Sequence, residues 1–430
     1  MTLVQQNTTP WLPQRLPNGI PLSPRYQRLL SHFTGDILAS LSCHPSVHHD
    51  LRQGLLPATF ESPQLMSACL ALSAAGFLSR GVVTLDGVDI VKILGHLQSS
   101  GLSLLRGALE TATSGRQEMN ETLLATCLLW CLTDVFTYRR LEGNLSSSWR
   151  IHLQGIRALM DSDGANYRDR GRGSIHTAMK HLHQLYLSLQ TLPYITHGSI
   201  ESPPEIPKPG RLIKSPPRTS PVIDGFLGYS DELLDILHQI DQLARIQPVD
   251  DLDTFEADIL LGKVNAMIIR DSRATPPVNL SSASGPALDH IHLHEYALCH
   301  QIFQQATLIQ IYRQLYRLPS RSPEIQSTFS QMLLLFSQIE TNFSTEPCHT
   351  WVAMAMPLFT LGCEAVSEEQ RRFALDKVDR LEECIRSLHV GIIRQALRDI
   401  WALRDKLGDA DGDLCAGELL EKLDYNIILF

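Results

Sequence analysis

The chain has 430 residues, of which 43% are hydrophobic and 19% charged, with a formal net charge of -9. A chain of this length buries about three quarters of its unfolded surface, so core formation is not limiting, and the length prior allows roughly two to three domains. The negative balance repels phosphate backbones. No uncharged apolar segment approaches the ~20 residues of a membrane span, and the opening MTLVQQNTTPWLPQRLPNG has neither the cationic start nor the apolar run of a signal peptide.

Residues 1–22, with Pro10, Pro13, Pro17 and Pro21 and little periodicity, read as an extended or disordered lead. Ser23-Pro24 is a cap followed by a first-turn proline. It opens a predicted helix over 24–42 whose inner face carries Tyr26, Leu29, Leu30, Phe33, Ile37, Leu38 and Leu41. Residues 44–60 read as an irregular, proline-marked connector. Ser62-Pro63 repeats the start signal, and the helix predicted over 62–80 is apolar nearly all round, as a centrally buried helix must be. Apolar residues at three- and four-residue intervals predict further helices over 87–112, 119–138 and 146–161. The mixed arginine and aspartate tract 161–173 reads as a solvated loop. Seven prolines in 201–222 exclude helix there and mark a linker or surface loop. Its Lys208, Arg211, Lys214 and Arg218 are spaced rather than clustered, which favours a solvated loop over a nuclear import signal. A serine- and proline-rich break over 274–286 follows, then helices over 288–317, 323–342, 348–366, 368–388 and 389–407. Residues 409–430 form a tail with a short helix. No persistent alternation supports a sheet, so the expected class is all-α: a layered or superhelical multi-helix domain.

The segment YQRLLSHFTGDILASLSCHPSVHHDLRQGLLPATFESPQLMSACLALSAAG resembles the opening of the fungal-specific transcription factor domain, the large helical regulatory region of fungal zinc-cluster transcription factors. Trp149, His152, Gly155, Ala158 and Leu159 are similar to a tryptophan, histidine, glycine, leucine helix of that family; Ile156 stands where a small residue is more usual. Met356, Pro357, Phe359, Gly362, Glu364 and Ala365, followed by Arg371 and Trp401, resemble its closing helices. Together these blocks cover most of residues 23–408, and their order carries the resemblance.

Such regulators usually open with a six-cysteine cluster that holds two zinc ions and docks a helix on DNA. That chemistry needs C-x-x-C turns, which let two thiolates reach one tetrahedral ion. None of the nine cysteines here is paired at that spacing. The expectation is therefore a regulatory region without its own DNA-binding module, and no direct DNA binding by this chain alone.

His290, His292 and His294 form the densest histidine group, but on a helix His290 and His294 share a face while His292 points away, so at most two ligands converge. Cys127 and Cys131 share a helical face within an apolar run and read as buried thiols. The acidic stretch from Asp409 fails as a calcium loop, since Leu414 and Leu420 stand where glycine and glutamate are required. No phosphate-cradling loop and no nucleophile elbow is present. The expected site inventory therefore has no catalytic residue, no metal ligand and no cofactor, and the chain is not expected to be an enzyme.

One block invites a ligand reading. Trp351, Met354, Met356 and Phe359 surround Pro357, which should kink the helix, and flexible methionines beside aromatic rings can line an adaptable apolar cavity. A proline-kinked core helix is the competing reading. The resemblance implies a nuclear transcriptional regulator, shuttling with the cytoplasm, that responds to a small apolar effector and acts through the transcription machinery or a DNA-binding partner. It further implies control of a metabolic or secondary-metabolite gene cluster, and leaves a homodimer open. A truncated gene model of a complete zinc-cluster factor and an enzyme on a helical scaffold are the alternatives.

Overall fold

The start signal at Ser23-Pro24 works as predicted. In the computed structural model, which describes residues 22–113, 121–137, 148–162, 174–197, 221–244, 251–280, 288–342, 349–411, 414–425, 427 and 429, Ser23 caps α1 (Pro24–His32) by accepting from the Tyr26 amide at 3.3 Å. The helix widens into a π-helical turn, Phe33–Ile37, and closes as α2 (Leu38–Ser40). The described residues form two compact units.

The first unit takes in Met1–Leu41, His48–His183 and Arg386–Leu388. Its largest departure from the sequence reading is α3 (Pro45–Glu61), a helix where an irregular connector was expected. Pro57 lies inside it, on the exposed side. The carbonyl that loses its partner therefore faces water, which replaces the missing bond. Val47, Leu51 and Leu55 supply the buried stripe at four-residue spacing. Next, Ser62 caps α4 (Pro63–Ser79), accepting from Leu65 N–H at 3.3 Å. A short antiparallel hairpin, β1 (Thr84–Leu85) and β2 (Val88–Asp89), turns through Asp86 and Gly87, both with positive φ. Then follow α5 (Ile90–Thr113), α6 (Glu121–Thr137), α7 (Ser148–Ser162) and the start of α8 (Ser174–His197). The apolar α4 packs against both α5 and α6, and α6 packs against α7. Gly101 permits the approach of α5: a Cβ there would stand 2.5 Å from the Trp130 ring.

The second unit takes in Ser42–Val47, Gln184–Ile385 and His389–Phe430. No helix was predicted between 161 and 288, yet α8 continues here and is followed by α9 (Asp231–Ala244) and α10 (Asp251–Arg273). The signal was present: Leu233, Leu234, Leu237 and Ile240 give α9 an inner face, and Ser230 caps it. Strand β3 (Ile223–Asp224) pairs in parallel with β4 (Val278–Asn279), which occupies part of the expected 274–286 break. The remaining elements are α11 (His290–Gln310) with a π-helical turn at Ile311–Leu315, α12 (Pro323–Asn342), a 3-10 turn at His349–Ala353, α13 (Ala355–Cys363), α14 (Glu368–Ile385), α15 (Leu388–Asp411) and α16 (Ala416–Lys422). Helix α11 is central, packing on α10, α12 and α13, while α14 packs on α13. The architecture is all-α, as predicted. The lead at 1–21, the tract 163–173 and the proline-rich stretch 201–220 lie outside the described residues.

Candidate functional site

The block around Trp351 does not form one kinked helix. It breaks at Met354, which stands at the N-terminal boundary of α13, so Pro357 falls in the first turn of that helix. Amides there have no intrahelical partner, and the proline costs no bond and produces no kink. Trp351 is 1% exposed, while Met354, Met356 and Phe359 are fully buried. The Trp351 ring stacks on Phe336 of α12 with centroids 5.8 Å apart.

The second unit also holds a set of buried and half-buried polar contacts that sequence reasoning did not anticipate, some of them touching this block. Gln314 Nε2 donates to Gln310 Oε1 at 2.8 Å, Gln310 Nε2 donates to Thr360 Oγ1 at 2.8 Å, and Thr360 Oγ1 donates to Met356 Sδ at 3.5 Å. The carboxylate of Glu295 accepts the Thr350 amide at 2.6 Å, fixing the 3-10 turn to α11. The next residue of α11, Tyr296, places its phenol 2.6 Å from the Gly225 carbonyl and 3.2 Å from that of Cys43. Asp271 of α10 accepts from Gln304 Nε2 at 2.7 Å and from Arg270 Nε at 2.8 Å, with His300 Nε2 at 3.1 Å. Burial alone would raise the Asp271 carboxyl; the bonds from His300 and Arg270 outweigh it and hold the group below the ordinary range. Arg313 and Glu364 form a buried ion pair at 3.2 Å, their side chains 4% and 3% exposed. Arg313 also donates to the carbonyls of Leu318 and Leu414. The longer of these contacts, Glu295 with Thr350, Gln304 with Asp271, Gln310 with Thr360 and Arg313 with Glu364, join separate elements, which is why local periodicity gives no sign of them.

The histidines divide as the helix spacing implied, His290 and His294 exposed and His292 half-buried on another side; what the sequence did not signal is the company His292 keeps. His292 is tied to the cap residue Asp289 at 2.7 Å and faces His44 and His349, with ring centroids 5.3 and 6.2 Å away. The Ser46 amide donates to His44 Nδ1 at 3.1 Å, and burial, then the proximity of His292 and His349, lowers His44 to about 4. Among the described residues no group of three or more histidine, cysteine, aspartate or glutamate side chains is placed to hold a metal ion. Cys127 and Cys131 are buried, as read from the sequence, and burial pushes the Cys127 thiol up to about 12, far from a reactive thiolate.

Residues of the closing block that carried the family resemblance touch one another within the second unit. Trp401 Nε1 donates to the Gly362 carbonyl at 2.9 Å, and the Arg371 guanidinium lies 5.6 Å from the Trp401 ring while pairing with Asp405 at 2.7 Å. Gly362 is required by close approach, since a Cβ would stand 2.7 Å from Leu397. In the first unit Trp149 is buried, its carbonyl accepts from Cys131 Sγ at 3.7 Å, and His152 sits 3.1 Å from Asp134. Ile156 is 1% exposed, so the larger residue at that position is absorbed by the core.

Helical units with glycine- and tryptophan-keyed contacts, and buried polar groups bonded to one another, define a large all-α domain. Residues 28–430 match the fungal specific transcription factor domain, and the chain belongs to that family. The membership supports a role as a transcriptional regulator. Neither a curated protein nor a solved structure matches the chain.

Proposed function

We propose that the protein is the effector and activation region of a nuclear regulator that controls a metabolic or secondary-metabolite gene cluster. It acts through the transcription machinery or a DNA-binding partner. The observation that carries this reading is the family match over 28–430; the net charge of -9 agrees with a chain that leaves DNA contact to another module.

The effector is a small apolar molecule received by Trp351, Met354, Met356 and Phe359. Unbranched, polarizable methionines support this, because they repack around differing shapes. In the closed state all four side chains are buried, so an effector enters only when the 3-10 turn at His349–Ala353 parts from α11. Binding then discriminates between open and closed states, which regulation requires, since equal affinity for two states shifts no population. The test is thermal stabilisation and tryptophan fluorescence of the full chain across sterols, fatty acids and pathway metabolites, alongside a target-gene reporter. A ligand should raise the melting temperature, and Phe359→Leu should change both the ligand series and the reporter response while the fold survives. If no ligand stabilises the chain and Met354→Ala only destabilises by the ~2–5 kcal/mol of a core deletion, these residues are core and nothing more.

A further inference from the structure

Three imidazoles from separate elements face one another in the second unit. His292 lies in the first turn of α11, His44 in the segment Ser42–Val47, and His349 opens the 3-10 turn; all are half-buried. His44 and His292 meet edge to face with ring centroids 5.3 Å apart, and His292 and His349 lie nearly parallel at 6.2 Å. The turn is tied to α11 by the Thr350 amide, which donates to Glu295 Oε1 at 2.6 Å, and it carries the buried Trp351.

The polar ties of these rings fix where a proton can go. Asp289 Oδ1 accepts the His292 amide at 2.9 Å and the His292 ring Nδ1–H at 2.7 Å, so a further proton on that ring leaves both bonds intact. At His44 the direction is reversed. The Ser46 amide donates to Nδ1 at 3.1 Å, so the neutral ring keeps its hydrogen on Nε2, and a further proton would stand on Nδ1 against the Ser46 N–H, donor against donor. Protonation of His44 therefore breaks the bond that seats it and sets a positive ring beside His292 and His349. Among the described residues the other ionisable groups at the cluster are Asp289, bonded to His292, Glu295, bonded to the Thr350 amide, and, next to His44 in the chain, the Cys43 thiol, which burial raises well above its ordinary value and keeps neutral. Asp289 draws a proton toward His44 and Glu295 draws one toward His349, but burial outweighs both and lowers the two histidines.

The geometry points to a proton-operated clasp: the cluster of His44, His292 and His349 holds the turn His349–Ala353 on α11 while its rings are neutral, and releases the turn, Trp351 with it, when His44 takes up a proton. Once the turn parts, His44 is solvated and returns toward its ordinary 6.5 from the closed-state value of about 4. A histidine depressed in the closed state supports that state above 6.5 and ceases to do so as pH falls, so His44 alone should raise the ratio of open to closed turn about tenfold between pH about 7.5 and about 5.5. As a gate to Met354, Met356 and Phe359 the clasp rests on the effector reading; as an acid response of the turn it does not.

The experiment is amide hydrogen exchange of the full chain, read at Thr350 and its neighbours in the turn and corrected for the intrinsic pH dependence of exchange. Protection of the turn should fall about tenfold from pH about 7.5 to about 5.5, while amides in the middle of α11, from Ile302 to Ile309, keep theirs. His44→Gln, whose side chain takes up no proton but whose oxygen can still accept from Ser46, should abolish the fall. His349→Gln, which removes the ring that the cation repels from the turn, should reduce it to about threefold or less. His290→Gln, on the exposed side of α11, should leave it unchanged. Circular dichroism and melting temperature at neutral pH check the fold of each variant. Turn protection that is the same at both pH values overturns the clasp. So does a fall that both His44→Gln and His349→Gln retain, or one that the middle of α11 shares, which would be acid unfolding of the unit. Oleate and cholesterol, added at both pH values, separate the clasp from the effector: a turn that opens in acid while neither lipid raises the melting temperature upholds the clasp and leaves the effector reading without support. A lipid that stabilises the chain equally at both values over an unresponsive turn does the reverse.

Discussion

In the first unit the central helices α4 and α6 are apolar on nearly every side, and the buried hydroxyls of α6 look after themselves. Thr126 donates to Thr122 O at 2.6 Å and Thr133 to Leu129 O at 2.8 Å, both within their own helix. The second unit buries Glu295, Gln304, Arg313 and Glu364 and bonds them to other elements. Helices that satisfy their own polar groups pack by shape alone, so several neighbours can serve. Helices that bury charge reach a low energy in the one arrangement that leaves no charge orphaned. The packing of α4 on α6 is thus specified mainly by volume, with Ser73 to Leu29 and His181 to Asp50 the polar ties elsewhere in the first unit, whereas the second unit is specified by volume and by more extensive polar matching together.

The sharpest way to break this comparison is Arg313→Met, which strands Glu364 inside the second unit. It should cost ~3–5 kcal/mol, and adding Glu364→Leu should recover much of that, since an apolar pair often replaces a buried ion pair without loss. Urea unfolding measures both; a cost near zero for the single variant would mean that polar matching contributes little. The counterpart in the first unit is Gly101→Ala, where the new methyl group meets Trp130. Overpacking of this kind should cost ~1–3 kcal/mol, with no compensating polar substitution available. A neutral Gly101→Ala would show that the apolar core yields more easily than volume specification allows.

The smallest effect concerns acid. His44 is lowered from the ordinary 6.5 to about 4, while His292, His349 and Asp289 are the ionisable groups that face it. Between these values the unfolded chain takes up a proton that the folded chain refuses. Stability from this group is therefore whole above pH 6.5 and falls as pH drops toward about 4. His44→Gln should flatten the melting temperature against pH across that window; an unchanged slope would move the acid sensitivity elsewhere.

Helix starts were legible where chemistry marks them, as at Ser23-Pro24 and Ser62-Pro63, because a cap and a first-turn proline act locally. Pro57 misled for the same reason: its effect depends on which side of the helix faces water, a tertiary fact. The apolar spacing of α9 and α10 was readable but masked by the proline-rich stretch before it. Of the candidate site, the sequence exposed the apolar block at Trp351 to Phe359. It could not expose Glu295 under Thr350 or Arg313 beside Glu364, since those partners lie some 50 residues apart.

The Tyr296 phenol, set between the carbonyls of Gly225 and Cys43, has a consequence for synthesis. Cys43 and Tyr296 are 253 residues apart, and at roughly 5–20 residues per second the ribosome needs about 13 to 50 s to supply the second after the first. Throughout that interval the segment around Cys43 belongs to a unit whose main helix has not yet been made. Its thiol, 1% exposed once folding is complete, stands open to solvent oxidants only then, so damage to Cys43 is a hazard of the nascent chain rather than of the finished protein.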